Sequence, residues 1–512
     1  MTAHAEFVRG RPLRLATWLL LAGALLHLAL ASGTGLSPDE AHYALFGAHP
    51  DWSYFDHPAL TGWLQAPFVE AGGSDVQMRI VPMASWLLAA VLAVVLCRRL
   101  ATSDDDARWD PPVVAALLLL SPLLNLLGVV LVPDTLLMPL VPAGMLATWN
   151  LRAAEALGDW RKWAALGVIL GLCLLAKYTG LFVVAGALAT LASFHGRSLL
   201  RRPGAWLAAA LVVLMATPIL SWNARHDWMS LAYQGGHALG DQPWRPLPML
   251  RALALQALLF GPLIPVCAMR MQRRRKDAAV ESADQRDARR MGLLFGVPVL
   301  VVFLCLAGRG SSLPHWTACG WMALLPLAVA GARDLRRGAL VGLGLWQAAL
   351  LAAVVAVIAM DGPFSETGPA AVSAAGIHPP GARLNPVADL HGWPAAADHA
   401  RELAAQQHAR GLVVMNWSQA SRLAWYARPL PVFVAPPRRD QFQLWFGTLQ
   451  RGDTAIAVDW SGMPLPPPVG PAEFARCTPL DQLATVEGNR QLAHFNFLLC
   501  QDWRGSVARP SR

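Results

Sequence analysis

Asp39 and Glu40 stand side by side in the stretch SPDEAHYALFGAHPDWSYFDHPAL, Ser37 to Leu60, directly after a run of leucines and alanines. A carboxylate at such a place can take the proton from an acceptor hydroxyl or amine. It can also hold a divalent cation that offsets a leaving group's charge. The same residues spell a helix start, with Pro38 in the first turn and acids at the positive helix end. Both readings stand at this point. Farther on, YFDHPAL supplies Asp56 and His57, ahead of a proline that favours extended or turn geometry. Asp134, in LVPDTLLMPL, lies between two apolar runs. A carboxylate there is costly unless solvated or paired, so it is a functional candidate; the alternative is a PDT turn capping the next helix.

Only three lysines occur, Lys162, Lys177 and Lys276. Lys177, in LLAKYTGLF, is squeezed between two apolar runs, where a cation suits an anionic headgroup such as a phosphate. Snorkelling to the interface is the other reading. A later segment, PILSWNARHDWMS, holds Trp222, Asn223, Arg225 and His226. Its Arg and His suit phosphate, its Asn and aromatic faces suit sugar hydroxyls and rings, and its tryptophans also fit an interfacial belt. LPHWTACGW adds His315.

The elements that must position these groups follow from composition. The chain has 512 residues, of which 55% are hydrophobic and 15% charged, and its mean hydropathy is +0.39. An average soluble protein is about 25% charged. Apolar blocks of near-spanning length recur at roughly 13–32, 80–97, 112–132, 135–150, 162–176, 179–195, 205–221, 250–269, 291–307, 315–331 and 339–360. These predict about eleven transmembrane helices, since in lipid each backbone must satisfy itself. Arginines cluster in every second connection: Arg9, Arg11 and Arg14, then Arg98 and Arg99, Arg152 and Arg161, Arg197 and Arg201, the loop after Arg270, and Arg336 and Arg337. By the positive-inside rule the N-terminus is cytoplasmic. The candidate residues then share the outer side, on a long first loop (about 33–79) and the other outer connections.

Two domains are expected, a helical bundle over 1–360 and a small extracytoplasmic α/β domain over 361–512. The net charge of +9 sits mostly in the inside loops, because residues 361–512 hold thirteen arginines against twelve acids. That pattern argues against nucleic-acid binding. Cys477 and Cys500 both fall in the outward tail, where an oxidising compartment would pair them.

The combination of SPDEAHYAL, FDHPALTGWL, VPDTLLMPL, GLCLLAKYTGLF and PILSWNARHDWMS resembles the GT-C glycosyltransferases of family 39 type. These include aminoarabinose transferases acting on lipid A, protein O-mannosyltransferases and related bacterial envelope-modifying enzymes. The resemblance implies a multi-span enzyme in the inner membrane. It would move a sugar, with inversion, from a polyprenyl-phosphate donor to a lipid A, polysaccharide or protein acceptor at the outer face. It implies Asp39 as catalytic acid with Glu40 its neighbour, Asp134 as a second-loop acid of the site, and Asp56–His57 at the place of an acid–lysine pair on the donor phosphate. His57 replaces a permanent charge there, which Lys177 would supply. It also implies a divalent metal (Mg, Mn or Zn) on Asp39 and Asp134, and no nucleotide. The competing classes are a transporter or flippase for a lipid-linked saccharide, which would want broken helices at the midplane, and a non-catalytic envelope-assembly partner.

Overall fold

The computed structural model describes residues 2–101, 103–239, 242–273, 282–310, 312–361, 387–435, 439–464, 466–470 and 473–505. Lys276 lies outside them. The chain divides into two units, one of Met1–Ala29, Pro50–Leu64 and Arg79–Ala353, the other of Leu30–His49, Gln65–Met78 and Val354–Arg512. The first long loop is thus shared out between the two, and residues 30–49 and 65–78 group with the C-terminal part of the chain.

The first unit is all-helical. Among the described residues six helices are long and apolar enough to cross a membrane: Arg11–Gly33, Asp75–Leu100, Gly180–Arg201, Pro203–Arg225, Ala283–Ala307 and Arg337–Ala359. Several turn apolar side chains outward; on Pro203–Arg225, Val213 and Leu214 are 60% and 62% exposed. That is the reverse of a soluble helix and suits contact with lipid, where apolar exposure costs nothing. Two shorter helices, Pro133–Trp149 and Ala318–Ala332, are buried along most of their length and form the unit's centre.

A seventh candidate span is broken. Pro246–Leu259 and Leu263–Met271 meet at 95°. Gly261 makes the corner at φ +77°, and a Cβ there would run into the Gln347 amide. Gln347 is fully buried. Its Oε1 accepts the Leu263 N–H at 2.7 Å and its Nε2 donates to the Leu120 carbonyl at 3.2 Å. The backbone freed by the break is satisfied by protein, as apolar surroundings demand. Polar clasps also join the ends reached by the arginine-rich connections. Arg152 bonds Asp284 at 2.5 Å and Asp287 at 2.7 Å, and Arg333 pairs with the fully buried Asp110.

The second unit contains a five-stranded sheet in the order β2-β1-β3-β5-β4, with β1 Leu412–Val414, β2 Val432–Val434, β3 Ala455–Trp460, β4 Phe474–Glu487 and β5 Arg490–Trp503. β1 pairs in parallel with β2 and β3, and β3–β5 and β5–β4 are antiparallel. Helices Trp393–Gln406 and Trp417–Tyr426 flank β1 in sequence, following the helix–strand alternation in WPAAADHARELAAQQHARGLVVMN and SQASRLAWYA. The long β4–β5 hairpin has no such signal, because most of β4 is exposed or half-buried and lacks apolar alternation. Cys477 and Cys500 face each other across that hairpin and are disulfide-bonded.

Candidate active site

In the first unit the candidate chemistry gathers on Asp134. Pro133 and Asp134 open helix Pro133–Trp149, whose N-cap is Val132, with no capping bond from its side chain. Asp134 is therefore no cap; its carboxylate is buried against a cation. Lys177 Nζ lies 2.5 Å from Asp134 Oδ2, with the two side chains only 5% and 3% exposed. Lys177 sits at the break between helices Trp160–Ala176 and Gly180–His195. Snorkelling is thereby excluded, because the ammonium points into protein. His315, in the single turn Pro314–Thr317, brings its Nε2 to 3.7 Å from the same oxygen. The Lys177 ammonium lies 5.8 Å from the Trp316 ring centroid.

Asp56 and His57 occupy a turn in which the Tyr54 N–H bonds the His57 carbonyl at 2.9 Å. The turn is tied down at Asp56, whose carbonyl accepts from Gln234 Nε2. Tyr54 is fully buried. Burial raises its phenol above the ordinary value, against a bond from the Asp51 N–H. His57 is half-buried and within electrostatic reach of Asp134. Asp134, Lys177, His315 and His57 thus form one group built from four separate connections.

The segment at 222–226 behaves differently. Trp222 is buried and its Nε1 donates to Asp51 Oδ2 at 2.8 Å. Asn223 is fully buried; its Nδ2 donates to the Ile219 carbonyl at 3.0 Å and its Oδ1 accepts the Leu231 N–H at 3.2 Å. Both fasten loops. His226 stacks on Trp222 with 4.0 Å between centroids, and exposed Arg225 folds back onto Ser221 at 3.2 Å.

In the second unit Asp39 and Glu40 open helix Pro38–Ala48. Glu40 is the cap partner: its Oε2 accepts the Ser37 N–H at 3.0 Å, while Ser37 Oγ accepts the Glu40 N–H at 3.4 Å. This reciprocal capping box explains the second acid without chemistry. Asp39, half-buried, takes no part in it. The helix-start reading thus accounts for Glu40.

The divalent metal does not fit the residues present. A cation already holds the Asp134 carboxylate, and among the described residues no group of three or more His, Cys, Asp or Glu side chains could hold a metal ion.

A family model for dolichyl-phosphate-mannose-protein mannosyltransferase matches residues 56–222, the stretch that carries Asp56, His57, Asp134 and Lys177. ArnT from Cupriavidus metallidurans superposes in its apo state with a TM-score of 0.58 at 14% identity, covering 97% of this chain and 99% of that one. Its structure bound to undecaprenyl phosphate gives 0.57 at 15% identity, with the same coverage. The chain shares the fold of these ArnT structures. The likeness at this identity carries the fold. A sequence relative is the lipid A galacturonosyltransferase RgtD of Rhizobium johnstonii, 25% identical over 303 residues, 57% of this chain. The match spans 59% of that relative's length.

Sequence reading passes over several buried polar groups in this chain. His27 is fully buried and edge-on to Trp86 at 4.9 Å. Arg422, 1% exposed, lies 3.8 Å from the Trp393 centroid, and burial lowers its guanidinium to about 10 against the pull of Asp389. A lone histidine or arginine in an amphipathic pattern gives no signal of its partner.

Proposed function

We propose that this chain is an inverting membrane glycosyltransferase that moves a sugar from a polyprenyl-phosphate-linked donor to a lipid A or related envelope acceptor. The observation that carries the reading is the desolvated Lys177–Asp134 pair with His315 beside it. A buried ion pair is a poor device for stability, because desolvation offsets its attraction. An ammonium held ready at a break between apolar helices suits a leaving group that stays anionic and anchored in lipid. The names of the relatives support the substrate classes, one acting on lipid A and one binding undecaprenyl phosphate.

In the proposed reaction an acceptor oxygen attacks the anomeric carbon from the face opposite the phosphate. The new C–O bond forms as the sugar–phosphate C–O bond breaks, and the phosphate leaves with the electron pair. Asp39 takes the acceptor proton, and Lys177 with His57 balances the phosphate charge. Arg225 and His226 serve as outer phosphate contacts. Asp56, Asp134, Trp222, Asn223 and His315 shape the sugar and acceptor site.

We take the chain to cross the inner membrane about eleven times. That count adds the bent pair and the shorter helices Asp104–Leu120, Pro133–Trp149, Trp160–Ala176 and Ala318–Ala332 to the six long ones. The arginine pattern supports a cytoplasmic N-terminus and an extracytoplasmic domain over 361–512. A carrier would also want a broken helix, and one exists, but Gln347 fills its corner, which favours a packed elbow over an ion or substrate port.

The test is Asp39→Asn in membranes given radiolabelled polyprenyl-phosphate sugar and lipid A. The expected result is loss of label transfer with donor binding retained. Transfer at the wild-type rate sinks the assignment.

A further inference from the structure

Helix Pro38–Ala48 packs on helix Trp417–Tyr426, so a helix of the C-terminal sheet unit supports the helix that bears Asp39. The fastening lies just ahead of the acid. The Tyr426 hydroxyl accepts the Leu36 N–H at 2.9 Å and donates to Asp75 Oδ2 at 2.9 Å. It therefore clips the turn before Ser37 to the far end of the first loop, across 390 and 351 residues of sequence. The neighbouring Gly35 N–H bonds the Leu390 carbonyl at 3.0 Å. Gly35 is needed for that approach, since a Cβ would sit 2.7 Å from the same carbonyl oxygen.

The platform beneath is buried. Four residues before Tyr426, Arg422 is buried against Trp393 and Trp460, 3.8 Å and 5.5 Å from their centroids. Its Nη1 donates to the Asp389 carbonyl at 2.6 Å, one residue from the carbonyl that holds Gly35. Asp39 is among the charges that act on Arg422. Arg428 lies over the Trp425 ring at 3.3 Å. The backbone N–H groups of Gly35, Leu36 and Ser37 are thus each tied to a side chain or carbonyl.

We propose that Tyr426 is a positioning residue for transfer: its hydroxyl sets where Asp39 stands, and this is a task of the C-terminal unit. The inference rests on Asp39 being the base of the proposed reaction. Positioning matters at this scale because a misplacement of about 1 Å costs on the order of 100-fold in rate. Freed from the hydroxyl, the 35–37 turn keeps its capping box and its Gly35 bond, so the helix persists while its start is loosened.

Tyr426→Phe in the full-length protein is expected to lower kcat about 10- to 100-fold with KM for the polyprenyl-phosphate sugar unchanged and the protein still folded, its midpoint lowered only by the loss of the two hydroxyl bonds. Asp39→Asn combined with Tyr426→Phe is expected to be no slower than Asp39→Asn alone, because groups acting as one unit do not add. A folded Tyr426→Phe with kcat within twofold of wild type overturns the proposal. So does a double variant whose losses multiply, which would mark Tyr426 as merely structural. If Tyr426→Phe fails to fold, Asp75→Ala, which removes the hydroxyl's acceptor, carries the same expectations and the same refutations. Failure of the underlying reading is distinct from these outcomes: there Asp39→Asn itself stays active.

Discussion

Replacing Lys177 by Met removes a charge while keeping the length of the side chain. Asp134 is then left with its carboxylate 3% exposed and the partner at 2.5 Å gone. His315, at 3.7 Å, is the nearest remaining cation source. Breaking a buried pair on one side costs about 3–5 kcal/mol, since the remaining charge is neither solvated nor paired. Asp134→Asn should cost a similar amount by stranding the ammonium. The double variant Lys177→Met with Asp134→Leu removes both charges, and its stability should return to within about 1 kcal/mol of wild type, or exceed it. Thermal unfolding of the four purified proteins in one detergent closes the cycle and gives the coupling. The same four samples are then assayed for transfer from labelled donor. We expect the double variant to be stable and inactive, which separates the chemical use of Lys177 from its structural one. A Lys177→Met protein as stable as wild type would refute the claim that the pair is desolvated. A double variant with full transfer would refute the phosphate role.

Three further predictions follow from single contacts. Glu40→Ala should destabilise by about 1 kcal/mol through loss of the capping box, while Glu40→Gln keeps the box and the thermal midpoint; equal midpoints for both would remove the capping role. Gly261→Ala forces a side chain into the left-handed region, at a cost of about 1–2 kcal/mol before the collision with Gln347 is added. Its midpoint should fall, and an unchanged midpoint would mean the 95° corner does not form. His49 is stacked on Trp445 at 5.2 Å, and burial, with Arg428 second, holds its imidazole below the ordinary 6.5. The folded chain then binds fewer protons than the unfolded chain, so the stability from His49 is present above 6.5 and lost as pH falls through the lowered value. His49→Phe keeps the ring and should flatten that acid-side loss when midpoints are read from about pH 7.5 to pH 5; parallel pH curves would exclude His49 as its source.

The helices were legible because their cause is local. A run of apolar residues in lipid must close its own hydrogen bonds, so composition over about twenty residues suffices. The same holds for Ser37-Pro38-Asp39-Glu40, where cap, proline and acids announce a helix within one turn. The site was legible only as an inventory. Asp134, Lys177, His57 and His315 each looked unusual on their own, yet a pair 43 residues apart has no signature in either sequence neighbourhood. The flanks of Lys177 alone are equally those of a snorkelling lysine. The break at Lys177–Thr179 turns it inward instead, onto a carboxylate that would otherwise be stranded.

The tail shows the division most clearly. Its helices and short strands follow hydrophobic period, but the link from Tyr426 to Leu36 and Asp75 depends on how the chain packs 390 residues away. What the sequence determined by itself was the set of helical segments, the arginine asymmetry between connections and the types of side chain available for chemistry. What tertiary structure decided was which of the two adjacent acids is consumed as a cap, which cation Asp134 holds, and which hydroxyl fixes the turn before Asp39. The reason is that periodicity and caps are properties of neighbours in sequence, whereas an ion pair or a two-bond clip is chosen by burial, which only the folded chain defines.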